Sequence, residues 1–158
     1  MIAIIPARSG SKRIKNKNIK EFFGKPIIAY SIQSAIQSNI LDKIYVSTDD
    51  KEIAAIAKNF GAEVPFLRAA ELSDDYTTTT KVISNFIKKL KNEKIVSEFI
   101  CCIYPAAPLI KADKITEAYK KISKENWSFV FSAAQSKFQV LRSFEKDKMN
   151  SLKMHFPE

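Results

Sequence analysis

The chain contains one histidine, His155, and two cysteines, Cys101 and Cys102, in 158 residues. A single histidine excludes a multi-histidine zinc site and a Ser-His-Asp triad within these residues. The cysteines are adjacent, so in a strand they point to opposite faces; they make no disulfide framework or metal cluster and read as small buried hydrophobes. No apolar run approaches the ~20 residues of a membrane span. The opening Met1-Ile-Ala-Ile-Ile-Pro6 is too short for a signal peptide's apolar region and is followed, not preceded, by charge. The expected setting is the cytoplasm. Neither GxxxxGK[ST] nor GxGxxG occurs, so a Walker loop and a dinucleotide fingerprint are excluded too.

What is present is the composition of a folded domain, with 46% hydrophobic and 27% charged residues. The length suits one domain and is ample for a real core. The net charge of +9 is unevenly placed. Residues 8–25 hold Arg8, Lys12, Arg13, Lys15, Lys17, Lys20 and Lys25 against Glu21 alone, whereas the rest of the chain has 19 basic and 16 acidic residues. The excess sits in one early segment, and that segment needs an anion.

Apolar periodicity alternates between two kinds. Residues 2–6, 44–48, 99–104 and 129–131 are short apolar runs without polar alternation, as in strands buried on both faces. Residues 26–38 (Ile28, Ile32, Ala35, Ile36), 77–91 (Ile83, Phe86, Ile87, Leu90) and 112–123 (Ile115, Ala118, Tyr119, Ile122) carry helical stripes. A further helix holds Ile53, Ile56, Ala57 and Phe60, with Asp49 or Asp50 as its N-cap and Gly61 as its C-terminal cap. Residues 63–67, interrupted by Pro65, belong at an edge or in irregular structure. After Gln135 the pattern loosens into a possible strand at 138–142 and a polar turn at 145–150. The expectation is an α/β fold: a doubly wound, mostly parallel, Rossmann-like sheet covered by helices on both faces, with ligands at the carboxyl ends of its strands.

The loop Ala7-Arg-Ser-Gly-Ser-Lys-Arg-Ile-Lys-Asn-Lys-Asn-Ile19 leaves the first strand at that edge. Gly10 and Ser11 can turn successive N–H groups toward phosphate oxygens. Arg8 can grip a phosphate with two N–H groups, while Lys12 and Lys17 act as mobile point charges. This suits a triphosphate and the negative charge that develops on a departing pyrophosphate. A merely solvated basic loop is the plain alternative, and its position after strand one weighs against that.

These residues resemble the nucleotide signature of the cytidylyltransferases that activate nine-carbon acidic sugars, the CMP-nonulosonate synthetases. Lys15 stands where that family often has proline. Three more segments match in order: Tyr45-Val-Ser-Thr-Asp49; Leu67-Arg-Ala-Ala-Glu-Leu-Ser-Asp-Asp75, similar to R-P-x-x-L-x-x-D with Ala69 for proline; and Tyr104-Pro-Ala-Ala-Pro-Leu109, similar to Q-P-T-S-P-L with Tyr104 for glutamine. Thr77–Thr80 stand where the family opens a helix with small or hydroxyl residues. The resemblance runs from residue 1 to about 125.

It implies a nucleotidyltransferase that makes a CMP-sugar and pyrophosphate from CTP with Mg²⁺. Arg8, Ser11, Lys12, Lys17 and Asn18 would contact CTP, Arg8 and Lys17 acting in catalysis, and Arg68 and Thr79 would hold base and ribose. Tyr104, with Ser73-Asp-Asp75 and Arg142-Ser-Phe144, points to pseudaminic acid as the sugar, and Tyr104 would face it; the plain alternative for Tyr104 is a core residue. Sialate and legionaminate are the alternative sugars. A basic nucleic-acid-binding α/β module and an inactive fragment are the rivals of other classes, although aromatics interleaved with the cations, which strand binding favours, are missing. Asp49, Asp74 and Asp75 read as caps and surface acids. The resemblance places the metal-binding aspartates beyond Glu158. The expected organisation is therefore a nucleotide-binding core over residues 1–135 and, over 136–158, the start of a sugar-binding and dimerisation extension. The expected partners are CTP, a nonulosonic acid and a second copy of the full-length chain, with no nucleic acid or membrane.

Overall fold

The computed structural model describes residues 1–125, 127–133, 144–146, 148 and 151–154. The central sheet is parallel and ordered β4-β1-β5, with β1 Ile2–Pro6, β4 Lys43–Ser47 and β5 Ile100–Cys102. The unalternating apolar runs are explained by two-sided burial. Ala3 and Ile5 of β1 face one core with Ile44 and Val46 of β4, while Ile2 and Ile4 face a second core with Tyr45.

Helices α1 (Ile27–Gln37), α2 (Lys51–Asn59) and α4 (Ala112–Lys124) cover the first face through Ile28, Ile32, Ala35, Ile53, Ala57 and Ile115. Helix α3 (Thr79–Asn92) covers the other through Phe86 and Leu90. Crossover handedness explains this split. The chain moves outward from β1 through α1 to β4, and again through α2 to a single parallel bridge between Tyr45 and Glu63. It then reverses across the sheet to β5, and one hand of crossover puts the reversing helix, α3, on the opposite face. The reversal makes a switch point beside β1 at the carboxyl ends, where such sheets bind ligands.

Local signals explain the helix ends. Asp50, not Asp49, caps α2, its carboxylate accepting from the N–H of Glu52 (2.7 Å) and Ile53 (3.0 Å). Gly61 at φ 95° ends α2: its N–H donates to Lys58 and that of Ala62 to Ala57, which satisfies the last carbonyls. Thr78 caps α3 by accepting from the Lys81 N–H.

Several expectations are corrected. Residues 129–131 form no strand; Phe129 and Phe131 are exposed, and no described strand lies alongside to pair with them. Residues 144–146 (β6) and 152–154 (β7) pair antiparallel, so the expected polar turn contributes a strand at its start. The cysteines point to opposite faces but are less buried than expected, Cys101 half-buried and Cys102 exposed, because β5 is short and flanked by β1 on one side. A two-stranded antiparallel ribbon, β2 (Glu21–Phe22) with β3 (Lys25–Pro26), comes unannounced, turning at Phe23 and Gly24, both at positive φ. The possible strand at 138–142, the 135/136 boundary, Arg142 and His155 lie outside the described residues.

Candidate functional site

At the carboxyl ends of β1 and β4 lies a cleft of about 750 Å³. Its walls include Arg8, Ser11, Lys12, Lys17, Asn18, Arg68, Thr79 and Tyr104, which are all eight residues singled out from the sequence. Arg13 and Asp75 join them, so five cations face one carboxylate.

The loop after β1 is pinned by the backbone ladder at Ala7 and by the side chains of Asp49 and Asn18. The Ala7 N–H extends the β1–β4 ladder by donating to the Ser47 carbonyl (2.8 Å). Beyond it, Asp49 at the end of β4 accepts from the Ser9 N–H (3.0 Å) and hydroxyl (2.7 Å). Asp49 is therefore a loop anchor, neither a helix cap nor a surface acid. Asn18, buried at 4% exposure, donates from Nδ2 to the Arg8 carbonyl (2.9 Å) and closes the loop on itself. Its Oδ1 is buried without a hydrogen-bond partner. An unpaired buried acceptor costs stability, and this one belongs to a residue that lines the cleft. Lys17 stands exposed beside it in the 3-10 turn Lys17–Ile19, with no ion-pair partner among the described residues.

Arg68 is not a surface arginine. Its N–H ties the segment after the Glu63 bridge back to the Thr48 carbonyl (2.7 Å), and its side chain runs into the protein. The guanidinium donates to the Ser47 hydroxyl (3.2 Å), the Ser47 carbonyl and the Leu72 carbonyl (3.4 Å). Burial pulls its pKa below the usual arginine value; nearby Asp49 counteracts this and Arg8 adds to it. Three bonds from five N–H groups leave two for a ligand.

On the opposite wall, Thr77 and Thr79 flank the N-terminus of α3, whose first N–H groups lack helical partners and carry the positive end of the helix dipole. Asp74 accepts from the N–H groups of Tyr76 (3.1 Å) and Thr77 (2.6 Å) and so shapes the turn into that helix. Asp75 does something the sequence did not announce: it bridges Arg8 (2.7 Å) and Lys12 across the cleft. Those two cations hold its carboxyl below the ordinary aspartate range.

Tyr104 sits just past β5 and is 61% exposed, so it is a wall of the cleft and not a core residue. Its backbone carbonyl accepts from the buried Ser31 hydroxyl (2.8 Å), which fixes the strand end while leaving the phenol clear. Among the described residues the phenol makes no hydrogen bond. No group of three His, Cys, Asp or Glu side chains converges on a metal position among the described residues. The arrangement can thus neutralise a polyanion and present donors to a neighbouring polar group, while Tyr104 offers a ring and a hydroxyl at the far wall.

Residues 2–153 match the family model described as Cytidylyltransferase. The chain is 41% identical over 153 residues to the pseudaminic acid cytidylyltransferase of Campylobacter jejuni serotype O:2, covering 97% of this chain and 66% of that one. It is 36% identical over 118 residues to the CMP-N,N'-diacetyllegionaminic acid synthase of Legionella pneumophila, covering 75% of this chain and 51% of that one. Among solved structures, a CMP:2-keto-3-deoxy-manno-octonic acid synthetase complexed with CTP superposes with a TM-score of 0.65 at 20% identity, over 79% of this chain and 48% of that one. The chain therefore spans less than two thirds of the length of each of these relatives.

Proposed function

Because the chain belongs to the cytidylyltransferase family, we propose that it is the nucleotide-binding part of an enzyme that activates a nine-carbon acidic sugar with CTP, releasing pyrophosphate. The observation that carries this reading is the convergence of the loop after β1, the segment of Arg68 and the start of α3 on one cleft with five cations. In this reading Arg8, Lys12 and Lys17 take the phosphates, and Arg8 with Lys17 neutralises the charge that builds on the leaving pyrophosphate. Ser11 and Asn18 line the nucleotide, the Asn18 Oδ1 accepting a donor from it. Arg68, with its two spare N–H groups, and Thr79 at the helix N-terminus hold base and ribose. The sugar's anomeric hydroxyl attacks the α-phosphate, and positioning supplies most of the rate.

Tyr104 is the residue nearest in kind to a sugar contact, its ring and phenol standing clear on the cleft wall. The sugar we favour is pseudaminic acid, in keeping with the 41% identical relative of that name. Mg²⁺ enters as the companion of the CTP phosphates; the described carboxylates do not form a cage for it. Residues 1–135 would be the nucleotide core and 136–158 the beginning of a sugar-binding and dimerisation extension in a cytoplasmic homodimer.

Two measurements test the reading. CTP with Mg²⁺ is expected to raise the melting temperature of this chain more than ATP does, and Lys17→Ala, which removes an exposed cation, to abolish the rise. Pyrophosphate release with CTP and a panel of pseudaminic, legionaminic and sialic acids, on this chain and on a longer form, then assigns the sugar. No nucleotide effect together with tight, salt-sensitive RNA binding would replace this reading with the nucleic-acid module.

A further inference from the structure

The cleft contains its own anion. Asp75 lies between Arg8 and Lys12, contacting one with each carboxylate oxygen. This is the geometry in which a phosphate would engage the same two cations. The side chains of Arg8 and Asp75 are 33% and 29% exposed and that of Lys12 79%, so the bridge lies at the mouth of the cleft, where a solute can compete for it.

We propose that Asp75 is a built-in competitor for the phosphate seat: its carboxylate holds Arg8 and Lys12 in the empty cleft, is displaced by the triphosphate, and sets which anions bind. This rests on the reading of the cleft as a triphosphate site. Displacing one carboxylate costs the same whatever the incoming anion. Orthophosphate gains little beyond the two cations it takes over. A triphosphate also reaches Lys17 and Arg13, which line the same cleft, so it gains enough to displace the carboxylate. Asp75 thereby raises the threshold that any anion must pass, which a polyphosphate clears and a single phosphate does not, and, once pyrophosphate is the product, competes for its seat and favours its departure.

Asp75 is not needed to hold the loop in place. Asp49 anchors Ser9, and Asn18 anchors the Arg8 carbonyl. The Arg8 guanidinium also keeps a second bond, to the Asp74 carbonyl (3.0 Å). Removing the carboxylate therefore frees charge without dismantling the seat. A structural role and a competitor role predict opposite signs: loss of a support weakens anion binding, and loss of a competitor tightens it.

The test is calorimetric titration of inorganic pyrophosphate and of orthophosphate, at pH 7 in EDTA, into the wild-type chain, Asp75→Asn and Glu93→Gln. The last removes one exposed negative charge at the opposite end of α3 and controls for net charge. Asp75→Asn is expected to bind pyrophosphate about three- to tenfold more tightly, as removal of one partly exposed charge beside the anion implies. Orthophosphate should gain by the same factor, because the displaced carboxylate costs the same for either anion, and Glu93→Gln should resemble wild type. Weaker or unchanged binding by Asp75→Asn overturns the proposal. CTP titration separates this from the wider reading. If CTP binds wild type and Asp75→Asn shows no gain, the competitor falls and the nucleotide site stands. If pyrophosphate tightens but CTP does not compete with it, the competitor stands and the cytidylyl reading falls. If no anion binds any variant, both fall.

Discussion

Arg68 is the site residue whose replacement should be felt without any ligand. Consider Arg68→Met, which keeps the stem's length and apolar packing while removing the guanidinium. Three hydrogen bonds disappear: to the Ser47 hydroxyl at 3.2 Å, to the Ser47 carbonyl, and to the Leu72 carbonyl at 3.4 Å. The Ser47 carbonyl keeps the Ala7 N–H, so it is not orphaned. The Ser47 hydroxyl and the Leu72 carbonyl do lose a partner, the latter a weak one at that distance. Bonds from a charged donor contribute about 1.5–3 kcal/mol each in good geometry. Against this, burial of the guanidinium is itself unfavourable, as its lowered pKa indicates, and methionine relieves it. The net cost is about 2 kcal/mol, which for a chain of this size lowers the melting temperature by about 4–8 °C. The assay is thermal unfolding at pH 7 without nucleotide, beside Arg68→Lys and Lys17→Met. Arg68→Lys keeps one donor and should fall in between. Lys17→Met removes an exposed cation with no ion-pair partner among the described residues and should not lower the melting temperature. A ligand-free melting temperature for Arg68→Met within 1 °C or so of wild type would refute the claim that this arginine joins β4 to the turn at Leu72. Any loss of CTP binding by Arg68→Met must then be read only after this stability loss is known.

Two smaller predictions rest on single contacts. Asp50→Ala removes the cap that accepts from two backbone N–H groups of α2 and should cost about 1 kcal/mol, read as a fall of about 2–4 °C in ligand-free melting temperature. Unchanged melting would transfer the cap to another group. Burial pushes the Cys101 thiol up to about 11, so in a Cys102→Ser background iodoacetamide should label the folded chain at pH 7.5 about a hundredfold more slowly than the unfolded chain. The rate should climb about tenfold per pH unit toward pH 11, because the thiolate is the reactive form; labelling near the unfolded rate at neutral pH would show that Cys101 is not held in that environment.

What could be read from the sequence divides by physical range. β1 and β4 were legible because a strand buried on both faces leaves an unbroken apolar run, and α2 because a cap, a stripe and Gly61 agree locally. The ribbon of β2 and β3 escaped because its turn uses Phe23 at φ 47°, a residue that gives no turn signal, ahead of Gly24. The opposite error occurred at 129–131, where apolar residues imitate a strand but lack a described partner; Phe129-Val-Phe131 shows a preference for extended structure, not the presence of a neighbour. The site residues were legible through the resemblance of four short segments to one family, and those of the loop after β1 also through its cluster of cations. Their pairings were not. Arg8 meets the Asp74 carbonyl across 66 residues of sequence, and Asp75 reaches Arg8 through the reversal of the chain after Glu63, which brings the segment after Arg68 to the end of β1. A carboxylate in sequence next to another carboxylate looks like surface; opposite two cations at a strand end it is an anion in a phosphate's place. Charge counting along the chain therefore finds the basic loop but underestimates the acid that opposes it, and the affinity of the cleft depends on their difference.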